Sequence, residues 1–243
     1  MVTSAEKDPF WRVRRAALSV IASIYSPDPE PGKERPAFKI GGPTEQAVIR
    51  LTKDKEGVIR GEAIELLGET QDKKYASIFL PALEDRSYEV IDQAALAIAR
   101  VKDPRAFEAL NKLTQVKSWR GRVMSAGLHG LAELGDKRAF DTGYKIATDP
   151  NQPRNIRTVA LSIVGTTGKG DPRAFPLIFE QFKKSLDANN VPNMLNSIDA
   201  IIKISDPRGQ QALDLLKVRY KDNPGVMQTI GNLETEFKAG VGK

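Results

Sequence analysis

One short stretch, Asp103-Pro104-Arg105-Ala106-Phe107, is written three times in this chain. It returns as Asp136-Lys137-Arg138-Ala139-Phe140 and as Asp171-Pro172-Arg173-Ala174-Phe175, with weaker copies at Asp72-Lys73-Lys74-Tyr75-Ala76 and Asp206-Pro207-Arg208-Gly209-Gln210. Successive Asp positions lie 31, 33, 35 and 35 residues apart. A fixed period of this size is the signature of a repeat array, in which each unit buries its apolar face only against its neighbours. The expectation is therefore an all-α chain: about six to seven antiparallel helix pairs stacked into a right-handed α-solenoid, a single domain over 1–243.

The pattern around each copy supports helix pairs. Asp is a capping residue and Pro suits a first helical turn, where its missing N–H has no partner in any case. First helices are predicted to start near Thr44, Lys73, Pro104, Lys137, Pro172 and Pro207. Second helices are predicted near Glu56, Arg86, Ser118, Gln152, Asn190 and Pro224. The second helices carry the denser apolar stripes, such as Val90-Ile91, Ala94-Ala95 and Ile98. A helix is also predicted over 8–25, with Asp8 as its cap. The one break is 26–43, where five prolines and three glycines cannot continue a helix and mark an inserted loop. Gly68, Gly135, Gly165 and Gly168 are expected to close second helices in left-handed backbone. Gly127 and Gly130 lie inside a helix, where each costs about 1 kcal/mol relative to Ala. Close approach of a neighbouring helix is the expected compensation.

Composition excludes several functions. With no cysteine in 243 residues there are no disulfides or thiolate sites. A single histidine, His129, cannot supply a two-histidine zinc site of the H-E-x-x-H kind. On the helical wheel it falls with Arg122, Ser125 and Glu133, a surface group in which Glu133 is placed to pair with it. No apolar run spans a membrane, and Met1–Lys7 lacks a signal core, so the compartment is left open. The start so close to a repeat would suit a fragment of a longer protein. Net charge is +6, from 37 basic and 31 acidic residues. They are interspersed, which favours a solvated mixed surface over a nucleic-acid face. Gly168-Lys169-Gly170 lacks the spacing of a phosphate loop and is read as a turn. No cofactor is called for. Trp11 and Trp119 open second helices and are expected to pack between repeats.

The openings Val13-Arg14-Arg15-Ala16-Ala17-Leu18, Ile59-Arg60-Gly61-Glu62-Ala63 and Ile156-Arg157-Thr158-Val159-Ala160-Leu161 resemble HEAT-like repeats, particularly the short phycobilisome-lyase type. That resemblance implies an Asp–Arg ladder between repeats. Asp8 stands six residues before Arg14 and Asp54 six before Arg60, while Ile91 interrupts the series. Read as exposed pairs, these would tune packing at about 0–1 kcal/mol each. The repeat type also raises an enzyme of the phycobilin-lyase kind, which no constellation of residues here supports.

A narrower resemblance covers most of the chain. Asp8-Pro9-Phe10-Trp11-Arg12-Val13-Arg14, Ser87-Tyr88-Glu89-Val90, Ser118-Trp119, Gly130–Asp136, Arg154-Asn155-Ile156-Arg157 and Gly168–Asp171 look, in order and spacing, like the C-terminal HEAT-repeat region of certain bacterial members of the membrane alanyl aminopeptidase family. The family's H-E-x-x-H zinc site and its G-x-M-E-N segment are absent from this chain. The resemblance implies the non-catalytic C-terminal portion of such a protein. Its partner would be a protein or peptide, in the first place the parent's own catalytic domain, met by a concave face of second helices. The alternative is a stand-alone array that holds nucleic acid in a basic groove.

Overall fold

The computed structural model describes residues 7–25 and 37–241. The predicted insertion therefore lies largely outside the described residues, and the next helix begins at Gly42 with Pro43 in its first turn. All regular structure among the described residues is helical. A first helix, α1 (Trp11–Tyr25), is followed by six helix pairs. These are α2 (Gly42–Leu51) with α3 (Gly57–Glu69), α4 (Ala76–Ala82) with α5 (Tyr88–Arg100), α6 (Ala106–Leu113) with α7 (Arg122–Leu134), α8 (Phe140–Thr148) with α9 (Arg154–Thr167), α10 (Ala174–Asp187) with α11 (Val191–Ile204), and α12 (Gln210–Arg219) with α13 (Pro224–Gly240). The chain divides into two compact units, with the boundary between Leu134 and Gly135. Each unit is a stretch of α-solenoid.

In the first unit the second helices form one layer, α1 on α3, α3 on α5 and α5 on α7, with α2, α4 and α6 packed behind their partners. Burial follows this position. α3 buries Ile59, Arg60, Gly61, Ala63, Ile64, Leu66, Leu67 and Gly68, almost its whole circumference. A helix enclosed by neighbours on both sides and behind needs apolar or small residues on all those faces. The alanines of α5 (Ala94, Ala95, Ala97 and Ala99, each 1% exposed or less) let that helix sit close to both neighbours. In the second unit α9, α11 and α13 form the corresponding layer. The centre there is Phe182, Ile178, Ile198, Ile201 and Leu213, all within 2% of full burial.

The turn between repeats explains the recurring motif. Asp72, Asp103, Asp136, Asp171 and Asp206 each accept a hydrogen bond at Oδ1 from the backbone N–H two residues on, at 2.9–3.0 Å. The residue before each Asp is left-handed: Gln71, Lys102, Gly135, Gly170 and Ser205, with φ between 50° and 87°. A left-handed residue reverses the chain after the second helix, and Asp then caps the next turn. Only two of these five positions use glycine. Of the glycines expected to be left-handed only Gly135 is so; Gly68, Gly165 and Gly168 have ordinary backbone. Gly68 instead presses its helix against Ala97 and Gly165 against Ala200.

In four copies the Arg of the motif folds back onto its own Asp, and the bond from Arg105 holds the Asp103 carboxyl down at about 2. In the second unit the Arg also stacks on the preceding copy. Arg173 lies 4.8 Å over Phe140 and Arg208 4.8 Å over Phe175. The motif Phe therefore enters the core and offers a ring face to the next repeat's cation. Asp103→Ala is expected to lower stability by about 1 kcal/mol through loss of the cap, read as a fall in the thermal midpoint.

Candidate functional site

The ladder is the most deeply buried charged feature of the first unit. Arg14 donates Nε and Nη2 to the two carboxylate oxygens of Asp54 at 2.7 and 2.8 Å. Its Nη1 donates to the backbone carbonyl of Asp8 at 2.8 Å. Arg60 repeats the arrangement with Asp85, at 2.9 and 2.6 Å, and with the carbonyl of Asp54 at 2.7 Å. The Asp six residues upstream therefore supplies a carbonyl, and the carboxylate comes from the following repeat. Asp8 uses its own carboxylate to cap the Phe10 N–H. The side chains are buried, 5% and 8% exposed for Arg14 and Asp54 and 8% and 17% for Arg60 and Asp85. The expectation of exposed pairs is thus corrected, and with it their weight. Breaking a buried pair from one side leaves an uncompensated charge. Burial pushes the Asp54 and Asp85 carboxyls up, but the Arg bonds together with the Glu56 and Ser87 N–H groups outweigh it, so both end below the usual carboxylate range. Asp85 stands 31 residues after Asp54, the period of the array, which is the signal that locates it. Arg157, the third Arg of this type, lines a cavity in the second unit and has a buried Nε without a partner.

Out on the layer of second helices, charges pair from helix to helix. Arg15 meets Glu62 at 2.6 Å, Arg122 meets Asp92, and Arg100 meets Glu133 at 3.1 Å. His129 is therefore not served by Glu133, which turns to α5. Desolvation beside α5 pushes the imidazole pKa down, Asp92 pulls it up, and the net is a group more neutral than usual. The same desolvation raises the Asp92 carboxyl. Glu62, Glu65 and Glu69 line a groove of about 260 Å³ with Leu18, Ser19 and Ala22.

The aromatics at the helix openings are placed differently from the packing role expected of them. Trp11 is 36% exposed, Tyr88 36% and Trp119 64%. They stand at the starts of α1, α5 and just before α7, so the layer carries all three at one end. Trp119 precedes two left-handed residues, Arg120 (φ 52°) and Gly121 (φ 67°), and the Arg120 guanidinium lies 4.8 Å over its ring. Left-handed backbone at a non-glycine residue is costly enough to indicate a held conformation. Among the described residues no group of three His, Asp or Glu is placed to hold a metal ion, and no helix is long and apolar enough to cross a membrane.

Residues 44–128 match the family model for HEAT repeats. The match to HEAT repeats is confined to these residues, and the rest of the described chain continues the same helix-pair architecture. The complex of CpcE and CpcF of phycocyanin lyase from Nostoc sp. PCC7120 is a similar structure, with TM-score 0.54 and 18% identity, covering 84% of this chain and 78% of that one. A computationally designed armadillo repeat protein for modular peptide recognition has TM-score 0.44 and 16% identity, covering 82% of this chain and 96% of its own. Importin beta has TM-score 0.45 and 13% identity over 91% of this chain and 34% of its own. At 18% identity the likeness to the phycocyanin lyase complex is one of fold alone. No curated protein sequence matches this chain.

Proposed function

We propose that this HEAT-repeat chain is a non-catalytic interaction module, residues 1–243 acting as one repeat domain, that engages a protein partner through the aromatic end of its second-helix layer. The observation that carries the reading is Trp119, a large aromatic 64% exposed, followed by left-handed backbone at Arg120 and covered on one face by the Arg120 guanidinium. Exposed aromatics at fixed positions are what protein interfaces use as anchors. The finer reading makes the chain the C-terminal portion of a zinc aminopeptidase-like protein, with that protein's catalytic domain as the partner. It rests on the ordered sequence motifs, and three of these, Asp8–Arg14, Ser87–Val90 and Ser118-Trp119, contain exposed aromatics. A nucleic-acid groove has less support. The outward cations Arg15, Arg100 and Arg122 are each matched by a carboxylate, and three glutamates line the groove between α1 and α3.

A photo-reactive residue placed at 119, in cells, is expected to cross-link to a thermolysin-like H-E-x-x-H domain, on the same polypeptide or another. The same group at Lys112, on the first-helix side, is expected not to. Trp119→Ala should abolish contact with that domain while moving stability by no more than about 0.5 kcal/mol, as for an exposed side chain. Capture of the same species from both positions, or none from 119, would overturn the reading. A partner without that domain would end the aminopeptidase version and leave the module.

A further inference from the structure

The ladder has a third arginine and no third carboxylate. Arg14 and Arg60 each receive an Asp that stands two residues before the cap of the next second helix: Asp54 before Glu56, and Asp85 before Ser87. Those connections run through residues 52–56 and 83–87. After α10 the connection is only 188–190, two residues shorter, and reads Ala188-Asn189-Asn190. The place of the Asp falls on Ala188, so Arg157 is left without a carboxylate. Its Nε is buried and has no hydrogen-bond partner. Against it lies a cavity of about 430 Å³ that Arg157 shares with Arg154, Lys184, Asn193 and Ala188. Arg154 and Lys184 carry no ion pair among the described residues. The one carboxylate on the rim, Glu180, is taken up by Lys183 at 2.6 Å.

We propose that this cavity binds a carboxylate supplied from outside the chain, an acidic side chain of a peptide partner, which completes the vacant rung on Arg157. The guanidinium fork matches a carboxylate with two parallel bonds, as it does at Asp54 and Asp85. Arg154 and Lys184 add attraction at the mouth, and Asn193 offers a neutral donor. The site is separate from the aromatic end of the first unit, so either can fail alone.

The test uses the full chain and a tetraglutamate peptide, with tetraglutamine and inorganic phosphate as comparison probes. Tetraglutamate is expected to shift the Arg157 Nε–H resonance saturably and to raise the thermal midpoint, while tetraglutamine does neither. Arg157→Met should weaken tetraglutamate binding at least tenfold. Ala188→Asp, which puts the missing charge into the cavity in cis, should do the same and raise the midpoint without peptide. Lys221→Met, a charge removed at an exposed position elsewhere in the unit, should leave affinity unchanged. Equal binding by the wild type and Arg157→Met, or an equal loss in Lys221→Met, would overturn the proposal. So would saturation of Arg157 by phosphate with no response to tetraglutamate, which would assign the cavity to a phosphoryl group.

Discussion

Asp54→Ala is expected to destabilise the protein by about 3–5 kcal/mol, read from denaturant unfolding of variant and wild type. The substitution leaves Arg14 with its charge 4% exposed and no counter-ion. It also uncaps the Glu56 N–H, which Asp54 holds at 2.9 Å. Asp85→Ala should cost less, because that carboxylate is 17% exposed and water can reach the arginine it leaves behind. Replacing both members of the first pair, Arg14→Met with Asp54→Asn, keeps a capping oxygen and removes the stranded charge, so most of the loss should be recovered. The pH dependence has a definite sign. The folded-state pKa values of Asp54 and Asp85 lie below those of a free carboxyl, so the folded state holds fewer protons there. Their contribution is complete above about pH 4, the ordinary Asp range, and is lost as pH falls through the lowered folded values. Arg14→Met should therefore flatten the acid limb of the stability curve. An unchanged acid limb would show that the ladder is not what titrates.

Gly127→Ala should cost about 1–3 kcal/mol, although alanine is the better helix former. A Cβ there would lie 2.8 Å from the Leu110 carbonyl oxygen, 2.8 Å from Leu113 Cβ and 3.1 Å from the Thr114 amide nitrogen. These belong to the backbone and the base of α6, which cannot move aside as a side-chain tip can. At Gly130 a Cβ would lie 2.5 Å from Leu110 Cδ2 and 3.0 Å from the Ala95 carbonyl oxygen, so Gly130→Ala should also be destabilising. Gly231, inside α13, has nothing within 4 Å of its would-be Cβ, and Gly231→Ala should raise stability by about 1 kcal/mol. The opposite signs at 127 and 231, measured as midpoint shifts of about 2–4 °C per kcal/mol, separate packing from propensity. A stabilised Gly127→Ala would show that α6 and α7 are not in such close contact.

Much of the architecture was legible in the chain because its causes are local. An Asp that caps, a Pro that begins a turn and an apolar stripe at helical spacing act within a few residues of one another, so helix starts such as Pro224 fall where the pattern put them. The close approach at Gly127 could also be anticipated, since an internal glycine on an apolar face needs a reason. The left-handed position before each motif Asp was hidden, because Gln71, Lys102 and Ser205 occupy it as well as glycine. The array imposes that backbone through the packing of both flanking helices, which overrides residue preference.

Long-range charge pairing was the least legible part. Arg14 with Asp54 spans 40 residues and Arg60 with Asp85 spans 25, so no fixed Arg-to-Asp offset announces the partners, and only the 31-residue spacing between the two Asp points to them. The nearer Asp8 offered a plausible partner that the geometry declines. Exposure of Trp119 was likewise invisible, since an apolar residue at a helix start reads as core until the turn at Arg120 and Gly121 is known to lift it out. The sequence by itself determined the repeat, the helix pairs and the absence of a His- or Cys-based metal centre, because composition and short-range sterics set these. Only the tertiary structure decided which charges meet and which are left open. That outcome depends on where each connecting loop lands against the preceding repeat, and a loop shorter by two residues is enough to leave Arg157 facing an open cavity.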